Sequence, residues 1–415
     1  MKRYMILVIL ATTGIFLAGV HNCRAQKYSD KFPIVACYGP DVTRTGIHAF
    51  VEMKQAGFTL YCYPDQETKS NQILLNIADS LNFGVIISDQ RFKTLPEQPD
   101  TLNRSLDSIR ADYLNHPSLW GYLVSNKPPA QFFKKMGNQQ SLMFAKNPAQ
   151  PILINLLPVY ASPLQLGSPG YYEYIWEFID KVNPQILYYD CYPAINGMAN
   201  PEYYKNMEII RKSSVDHSIP FWVNVYTMPF NTDDAPEHSH LRVQAYSALA
   251  YGARGLAFNT YSAPDSTVWQ FKSGLLDKVG NPTQAWRYAA EINSEIHQLG
   301  PVLMKLQSTS VFHSAPAPPG CSALGPDLPI TQVDGESFLL GFFSYNKEKY
   351  VFIVNKNHLY GARPRLYFSN RVQKIREIAR NTNKPFTFEF PNPHKEKSCT
   401  ILFKAGDGRL FRIYE

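Results

Sequence analysis

Between residues 32 and 261, eight strand-length apolar runs alternate with longer amphipathic segments, and this alternation leaves few folds open to the chain. The runs cover residues 33–38, 58–63, 84–88, 120–124, 151–157, 186–189, 221–226 and 255–259. Each is continuous and rich in β-branched or aromatic side chains. Such strands have no polar face to give to water, so their sheet must be covered on both sides. Helical periodicity fills the gaps, as at residues 47–56, 72–82, 102–114, 172–182, 201–214 and 240–251. A last helical pattern, at 283–299, places Ala285, Tyr288, Ile292, Ile296 and Leu299 on one face. Eight strand–helix units in succession predict an α/β fold, a closed (β/α)8 TIM barrel over residues 30–302. A doubly wound open sheet would carry a Gly-rich phosphate turn after its first strand, and Tyr38-Gly39-Pro40-Asp41 is not one.

After Gly300-Pro301 the pattern changes. Residues 315–320 read as a Pro-rich loop, followed by short runs at 337–344, 349–354, 365–368, 386–390, 400–404 and 410–413. Residues 345–348 and 405–408 have the composition of tight turns. This spacing predicts a small antiparallel β-sandwich over residues 303–415. Lys395-Glu396-Lys397 reads as a solvated hairpin turn.

At the other end, Lys2-Arg3, an apolar stretch from Met5 to Val20 and the small residue Ala25 match an export signal, residues 1–25, cleaved after Ala25. A lipid anchor on Cys23 is disfavoured, because Asn22 is a poor fit to the small residue such sites require. No other run approaches the roughly 18 apolar residues that span a bilayer. The expectation is therefore a secreted or periplasmic protein with no membrane insertion after cleavage.

Charge excludes another class of partner. The 41 Lys+Arg and 34 Asp+Glu give +7, and removal of Lys2, Arg3 and Arg24 leaves 38 against 34, a residual of +4. That is too small and too scattered a surplus for nucleic acid. Cys23, Cys37, Cys62, Cys191, Cys321 and Cys399 form no CxxC pair and no metal-ligand spacing, so neither a metal nor a cofactor is expected. An oxidising compartment would permit Cys37–Cys62 or Cys321–Cys399 bridges.

In a (β/α)8 barrel the ligand site lies at the C-terminal ends of the strands. Those positions hold Tyr38 and Asp41, Tyr63 and Asp65, Asp89, Asn126-Lys127-Pro128, Asn155, Asp190-Cys191-Tyr192, Trp222 and Asn224, and Asn259 and Tyr261. Short amides, carboxylates and hydroxyls interleaved with aromatic faces suit a neutral polyhydroxylated ligand. Three Asn at one rim point to hydroxyl recognition. Tyr192 and Tyr261 are the expected stacking platforms, while Trp222 faces either the mouth or the helices. Asp89 and Asp190 could each bind ligand or cap a loop. The loop at 231–240 carries Asp233, Asp234, Glu237, His238 and His240 and reads chiefly as solvated, and Glu173 and Glu177 as solvent-facing.

Several segments also carry a resemblance. They are Pro117-Ser118-Leu119-Trp120-Gly121-Tyr122, Asn126-Lys127-Pro128, Tyr189-Asp190-Cys191-Tyr192-Pro193, residues 249–255 and residues 406–411. Together they resemble the (β/α)8 glycoside hydrolase superfamily, especially secreted β-galactosidase-like barrel proteins of gut bacteria with a C-terminal β-domain. The resemblance implies a general acid/base Glu at the end of strand four, where this chain has Lys127. It implies a nucleophilic Glu at the end of strand seven, where residues 222–226 hold no carboxylate. Hydrolysis with retention needs two carboxyls about 5–5.5 Å apart, and with inversion about 6.5–9.5 Å. A lysine ammonium can donate a proton, but its ordinary pKa of about 10.4 suits neutral pH poorly unless burial lowers it strongly.

Three readings of Lys127 follow: a retuned acid, a cation that pairs with an acidic sugar, or the mark of lost hydrolysis. The chain is then an oligosaccharide- or polysaccharide-binding protein on a glycosidase scaffold, an active glycosidase using Asp190 and an unconventional acid, or an interaction protein docking through its β-sandwich.

Overall fold

The computed structural model describes residues 31–41, 46–195, 198–228, 237–263, 273–335, 337–380, 385–392 and 395–415. Residues 1–25, where an export signal is expected, with Cys23, and the loop residues Asp233 and Asp234 lie outside the described residues.

Eight parallel strands close into a barrel: β1 (Ile34–Cys37), β2 (Leu60–Cys62), β3 (Gly84–Ile87), β4 (Leu119–Asn126), β5 (Ile152–Leu156), β6 (Leu187–Tyr189), β7 (Phe221–Tyr226) and β8 (Gly255–Asn259). Each pairs with the next, and β8 closes on β1 with Ile34 opposite Leu256. The returning helices are α1 (Ile47–Gln55), α2 (Thr68–Leu81), α3 (Pro99–Ala111), α4 (Phe133–Lys146), α5 (Tyr171–Val182), α6 (Tyr203–His217), α7 (His238–Tyr251) and α8 (Gln284–Leu303). The sequence periodicity does not single out α4. Its buried face mixes Phe133 and Met143 with Gly137, Gln139 and Gln140, which interrupts the apolar repeat.

The period-two geometry of the strands sorts their side chains into two cores. Ile34, Val85, Ile154 and Val223 face the helices, whereas Val35, Ile86, Leu153 and Trp222 fill the barrel interior. Inside, the Trp120 and Trp222 rings lie 5.0 Å apart. Trp222 also lies flush on Gly255, where an added Cβ would come 2.5 Å from the indole. Cys37 and Cys62 are register partners on β1 and β2. The five described cysteines are all free thiols, and burial pushes Cys37 up to about 12 and Cys62 well above its ordinary value. Both are therefore inert filling of the barrel.

The C-terminal region is a sandwich of two antiparallel sheets. Its strands are β9 (Gln307–His313), β10 (Ile330–Val333), β11 (Phe338–Tyr345), β12 (Glu348–Asn355), β13 (Arg365–Phe368), β14 (Lys374–Glu377), β15 (Thr387–Glu389), β16 (Lys397–Thr400) and β17 (Gly408–Tyr414). The six-stranded sheet runs β9-β11-β12-β17-β14-β15 and the three-stranded sheet β10-β13-β16. Residues 345–348 do form a tight hairpin, with Asn346 and Lys347 at φ 47° and 67°. Residues 405–408 turn tightly as well, with the Asp407 N–H donating to the Lys404 carbonyl at 3.1 Å, and this turn carries the chain from one sheet to the other. Lys397 corrects another expectation: it is buried, and its ammonium donates to the Asn370 and Val372 carbonyls at 2.7 Å.

The central strands of the six-stranded sheet are buried on both faces. Phe338, Leu340, Val351 and Phe411 point into the sandwich, and their neighbours Leu339, Phe343, Phe352 and Leu410 point into the barrel's core. What they meet is α7, buried at every position from Leu241 to Tyr251. Gly341 and Gly408 allow the contact: a Cβ on Gly341 would lie 1.8 Å from the Ala250 carbonyl oxygen, and one on Gly408 2.5 Å from the Tyr246 Cβ. Polar groups bolt the seam as well. Asp407 accepts from Arg242 and, at 2.7 Å, from Arg380, which also reaches Glu295 at 3.2 Å. Burial alone would raise the Asp407 carboxyl, but the Arg380 and Arg242 guanidiniums outweigh it and hold it below the ordinary carboxylate value.

Among the described residues, no helix is long and apolar enough to cross a membrane, and no three His, Cys, Asp or Glu side chains cluster as metal ligands.

Removing the Asp407 carboxylate strands buried guanidiniums, so Asp407→Ala should cost about 3–5 kcal/mol in urea unfolding at pH 7. Because its folded pKa is depressed, Asp407 contributes fully above its unfolded value near 4 and loses that contribution as pH falls through the lower folded value. Asp407→Asn should therefore blunt the acid sensitivity of unfolding between pH 5 and 2. An identical loss of stability with acid in both proteins would refute the assignment.

Candidate functional site

The site begins at the end of β4. Lys127 adopts φ 56°, a left-handed conformation that costs a side-chain-bearing residue of order 1 kcal/mol and that the following Pro128 disfavours further. Its N–H donates to the Asn155 carbonyl at 2.6 Å, which anchors the bend to β5. The bend brings the Lys127 ammonium 2.8 Å from Asp190 Oδ2, just past β6. The Asp190 side chain is 3% exposed and that of Lys127 38%, so a buried carboxylate is held by a cation that reaches solvent.

Tyr192 donates its hydroxyl to the same Asp190 oxygen at 2.9 Å. Burial first, and the Asp190 charge next, keep that phenol protonated well above its ordinary value. Asn259, at the end of β8, donates Nδ2 to the Tyr192 oxygen at 3.0 Å. A chain of polar contacts thus crosses the mouth from β4 through β6 to β8. Asp190 Oδ1 and Asn259 Oδ1 have no hydrogen-bond partner among the described residues.

A second chain runs beside it. Asn155 Nδ2 donates to Asn126 Oδ1 at 2.7 Å, Asn224 Nδ2 to Asn155 Oδ1 at 3.5 Å, and Tyr188 Oη to Asn224 Oδ1 at 2.9 Å. Asn126 is exposed, whereas Asn155 and Asn224 are buried. The three amides read from the strand ends do come together, partly consuming one another. The aromatic rings at this end pair too. Half-buried Tyr38 and Tyr63 lie 5.8 Å apart edge to face, and Tyr192 lies 4.6 Å from Tyr226. Gln244 of α7 fixes Tyr226 by accepting from its N–H at 2.8 Å and donating to its carbonyl at 3.1 Å.

Three sequence candidates lie elsewhere. Asp89 is buried and caps the turn at residues 90–94, taking bonds from the Arg91 backbone and guanidinium and from Tyr113 at 2.5 Å. Its oxygens are spent on structure. Trp222 lies in the barrel interior against Trp120, below the mouth, because even-numbered β7 residues face inward and it comes first among them. Tyr261 is fully buried behind β8, edge-on to Phe58 at 5.3 Å, with its hydroxyl accepting from Trp286 at 3.0 Å. Asp65 pairs with Lys93 at 2.8 Å on the surface. His238 and His240 go separate ways: one stacks on Tyr288, the other contacts His358.

Sequence reasoning passed over Tyr226 and Tyr160. Tyr160 sits in the β5–α5 connection, and burial first, then the charges of Cys191 and Asp190, raise its hydroxyl pKa. Position at the end of a strand, for Tyr226, or shortly past one, for Tyr160, was the signal available. Taken together, the two polar chains contain one carboxylate, Asp190, and it is ion-paired. They offer hydroxyl-binding groups in quantity and no second carboxyl for acid–base work.

No protein-family model matches the chain, and no curated protein matches it. Solved structures do. The chain is similar to a catalytic mutant of Gan42B, a GH42 β-galactosidase from G. stearothermophilus, with TM-score 0.62 and 8% identity over 93% of this chain and 98% of that one. It is similar to a β-galactosidase from Bacillus circulans sp. alkalophilus, with TM-score 0.61 and 9% identity over 92% and 99%. A glycoside hydrolase family 5 structure from Bacteroides vulgatus gives TM-score 0.57 and 9% identity over 92% and 89%. At such low identity the likeness speaks for architecture alone: the chain has a glycoside-hydrolase-like fold along nearly its whole length.

Proposed function

We propose that this protein is exported and binds an uncharged oligosaccharide at the barrel mouth, on a glycosidase scaffold whose acid/base position has been given to Lys127. The observation that carries the reading is the 2.8 Å contact between Lys127 Nζ and Asp190 Oδ2. It neutralises the carboxylate of the two polar chains and occupies the cation at once. A uronate or sulfate would have to compete with Asp190 for Lys127, so the acidic-sugar reading loses ground. Amides and hydroxyls of the kind gathered around Asn126, Asn155, Tyr192 and Asn259 recognise hydroxyl groups, while the Tyr38–Tyr63 and Tyr192–Tyr226 rings suit the C–H faces of sugars. Retaining and inverting hydrolysis both require a second carboxyl that these chains lack.

Calorimetry and a hydrolysis screen of the mature protein against neutral host and plant oligosaccharides test this, with Lys127→Glu run beside it. The wild type should bind without turnover. Lys127→Glu should place two carboxyls at one site, raising the pKa of one, and gain measurable hydrolysis. Turnover by the wild type would sink the lost-hydrolysis reading and favour an active glycosidase with an unconventional acid.

Asp190→Asn should weaken oligosaccharide binding by at least about tenfold, since Lys127 is then released into the mouth and the Tyr192 acceptor is altered. Unchanged affinity would remove Asp190 from the site. Export is checked by the mass of the protein recovered from its native host: a chain starting at Gln26 supports it, and an intact Met1 overturns it.

A further inference from the structure

The first turn of α7 carries two half-buried histidines, and each is held by a different layer. His238 stacks on Tyr288 of α8, ring centroids 4.7 Å apart and planes 6° off parallel, with its Nε2 3.6 Å from Glu291. His240 meets the sandwich instead: its ring lies 4.3 Å from that of His358, in the connection after β12. The sandwich closes tightly at this point. The Gly406 N–H donates to the Asn357 carbonyl at 2.9 Å, and a Cβ on Gly406 would lie 2.4 Å from the Ser239 carbonyl oxygen.

The same turn is tied to the mouth. Gln244 Nε2 donates to the His240 carbonyl at 3.3 Å and to the Tyr226 carbonyl at 3.1 Å, and its Oε1 accepts from the Tyr226 N–H at 2.8 Å. Tyr226 lies 4.6 Å from Tyr192, the phenol that donates to Asp190. Movement of the His240 backbone therefore reaches a ring of the mouth through one amide side chain.

Two neutral imidazoles pack at this distance without penalty, whereas two imidazolium rings repel each other. A helix N-terminus opposes positive charge as well, because its free N–H groups already carry partial positive charge. Glu237 faces His240 and favours its protonation. Around His238, Glu291 and Glu295 of α8 favour protonation, while Arg242 of α7 and Lys404 of the sandwich oppose it. The acids do not prevail. Burial first and His358 next hold His240 below the ordinary imidazole value, and burial first and Arg242 next do so for His238. Depression of the folded value fixes the sign: the contact contributes fully above the unfolded value near 6.5 and is lost as pH falls through the lower folded one.

We propose that the His240–His358 contact is an acid-sensitive latch: protonation in mildly acidic solution parts the two rings, loosens the first turn of α7 and frees Tyr226, so that the mouth releases its ligand. The loosening stands by itself, and the release rests on the reading that the mouth binds oligosaccharide.

Hydrogen exchange of the whole protein, corrected for the intrinsic pH dependence of exchange, tests the latch at about pH 7.5 and pH 5. In the wild type, residues 238–244 and 222–228 should both lose protection at least about fivefold on acidification. His358→Gln should keep it, and so should His240→Gln, so that failure of one variant to fold leaves the other to decide. An equal acid response in the wild type and these variants would overturn the latch, as would a loss at 238–244 that spares 222–228. A response abolished by His238→Gln alone would put the sensor on the α8 side and overturn it too. Calorimetry with the neutral oligosaccharide panel reads the consequence, and affinity should fall at least about fivefold at pH 5 in the wild type only. Equal affinity at both pH values would overturn the release while leaving the mouth reading intact. Absence of binding at either pH, with exchange responding as expected, would overturn the mouth reading and leave the latch.

Discussion

Helix α7 lies between two layers and packs on both. One side closes the barrel behind β7 and β8, and the other receives the six-stranded sheet. A helix apolar on all sides must be buried on all sides, and here the second cover comes from the C-terminal region. Its few polar side chains are spent on joining parts. Arg242 reaches Asp407 of the sandwich, and Gln244 clamps the backbone of Tyr226 at the mouth. The seam and the site are therefore mechanically linked through one helix. Gly341 and Gly408 set the approach distance, because any side chain there would strike α7.

At the mouth, a different force decides what the scaffold can do. A buried carboxylate with no counter-charge is costly, and Lys127, at the bend after β4, supplies that charge. The left-handed bend at Lys127, held by the Asn155 carbonyl, aims the ammonium inward. The pair takes one oxygen of Asp190, Oδ2, and leaves Oδ1 without a hydrogen-bond partner among the described residues. Around it, the remaining groups are amides, phenols and ring faces, whose common chemistry is neutral hydrogen bonding and stacking.

Much of this was legible from the residues. Continuous apolar runs imply strands covered on both faces, and all eight barrel strands lie where such runs occur, as β7 and β8 do residue for residue. Helix α4 was missed because buried Gln139 and Gln140 break its repeat. In the sandwich, β9, β10 and β14 went unread, their alternating patterns being weak in short segments. Strand-end position alone points to Lys127, Asp190 and the three amides, and the structure brings Lys127 to Asp190 and the amides to one another. Asp89 and Tyr261 hold equivalent positions but are buried and bonded away from that cluster, since nothing in a linear sequence says that Arg91 or Trp286 will meet their polar atoms.

By itself, then, the order of residues determined the barrel, the sandwich and the ring of positions from which ligand groups can be drawn. It did so because hydrophobic periodicity is a local property of consecutive side chains. Only the tertiary structure decided which of those groups face one another, that Lys127 closes on Asp190, and that α7 is shared by the barrel and the six-stranded sheet. Those outcomes depend on contacts between residues far apart in the chain, and a pairing across a barrel leaves no periodic trace.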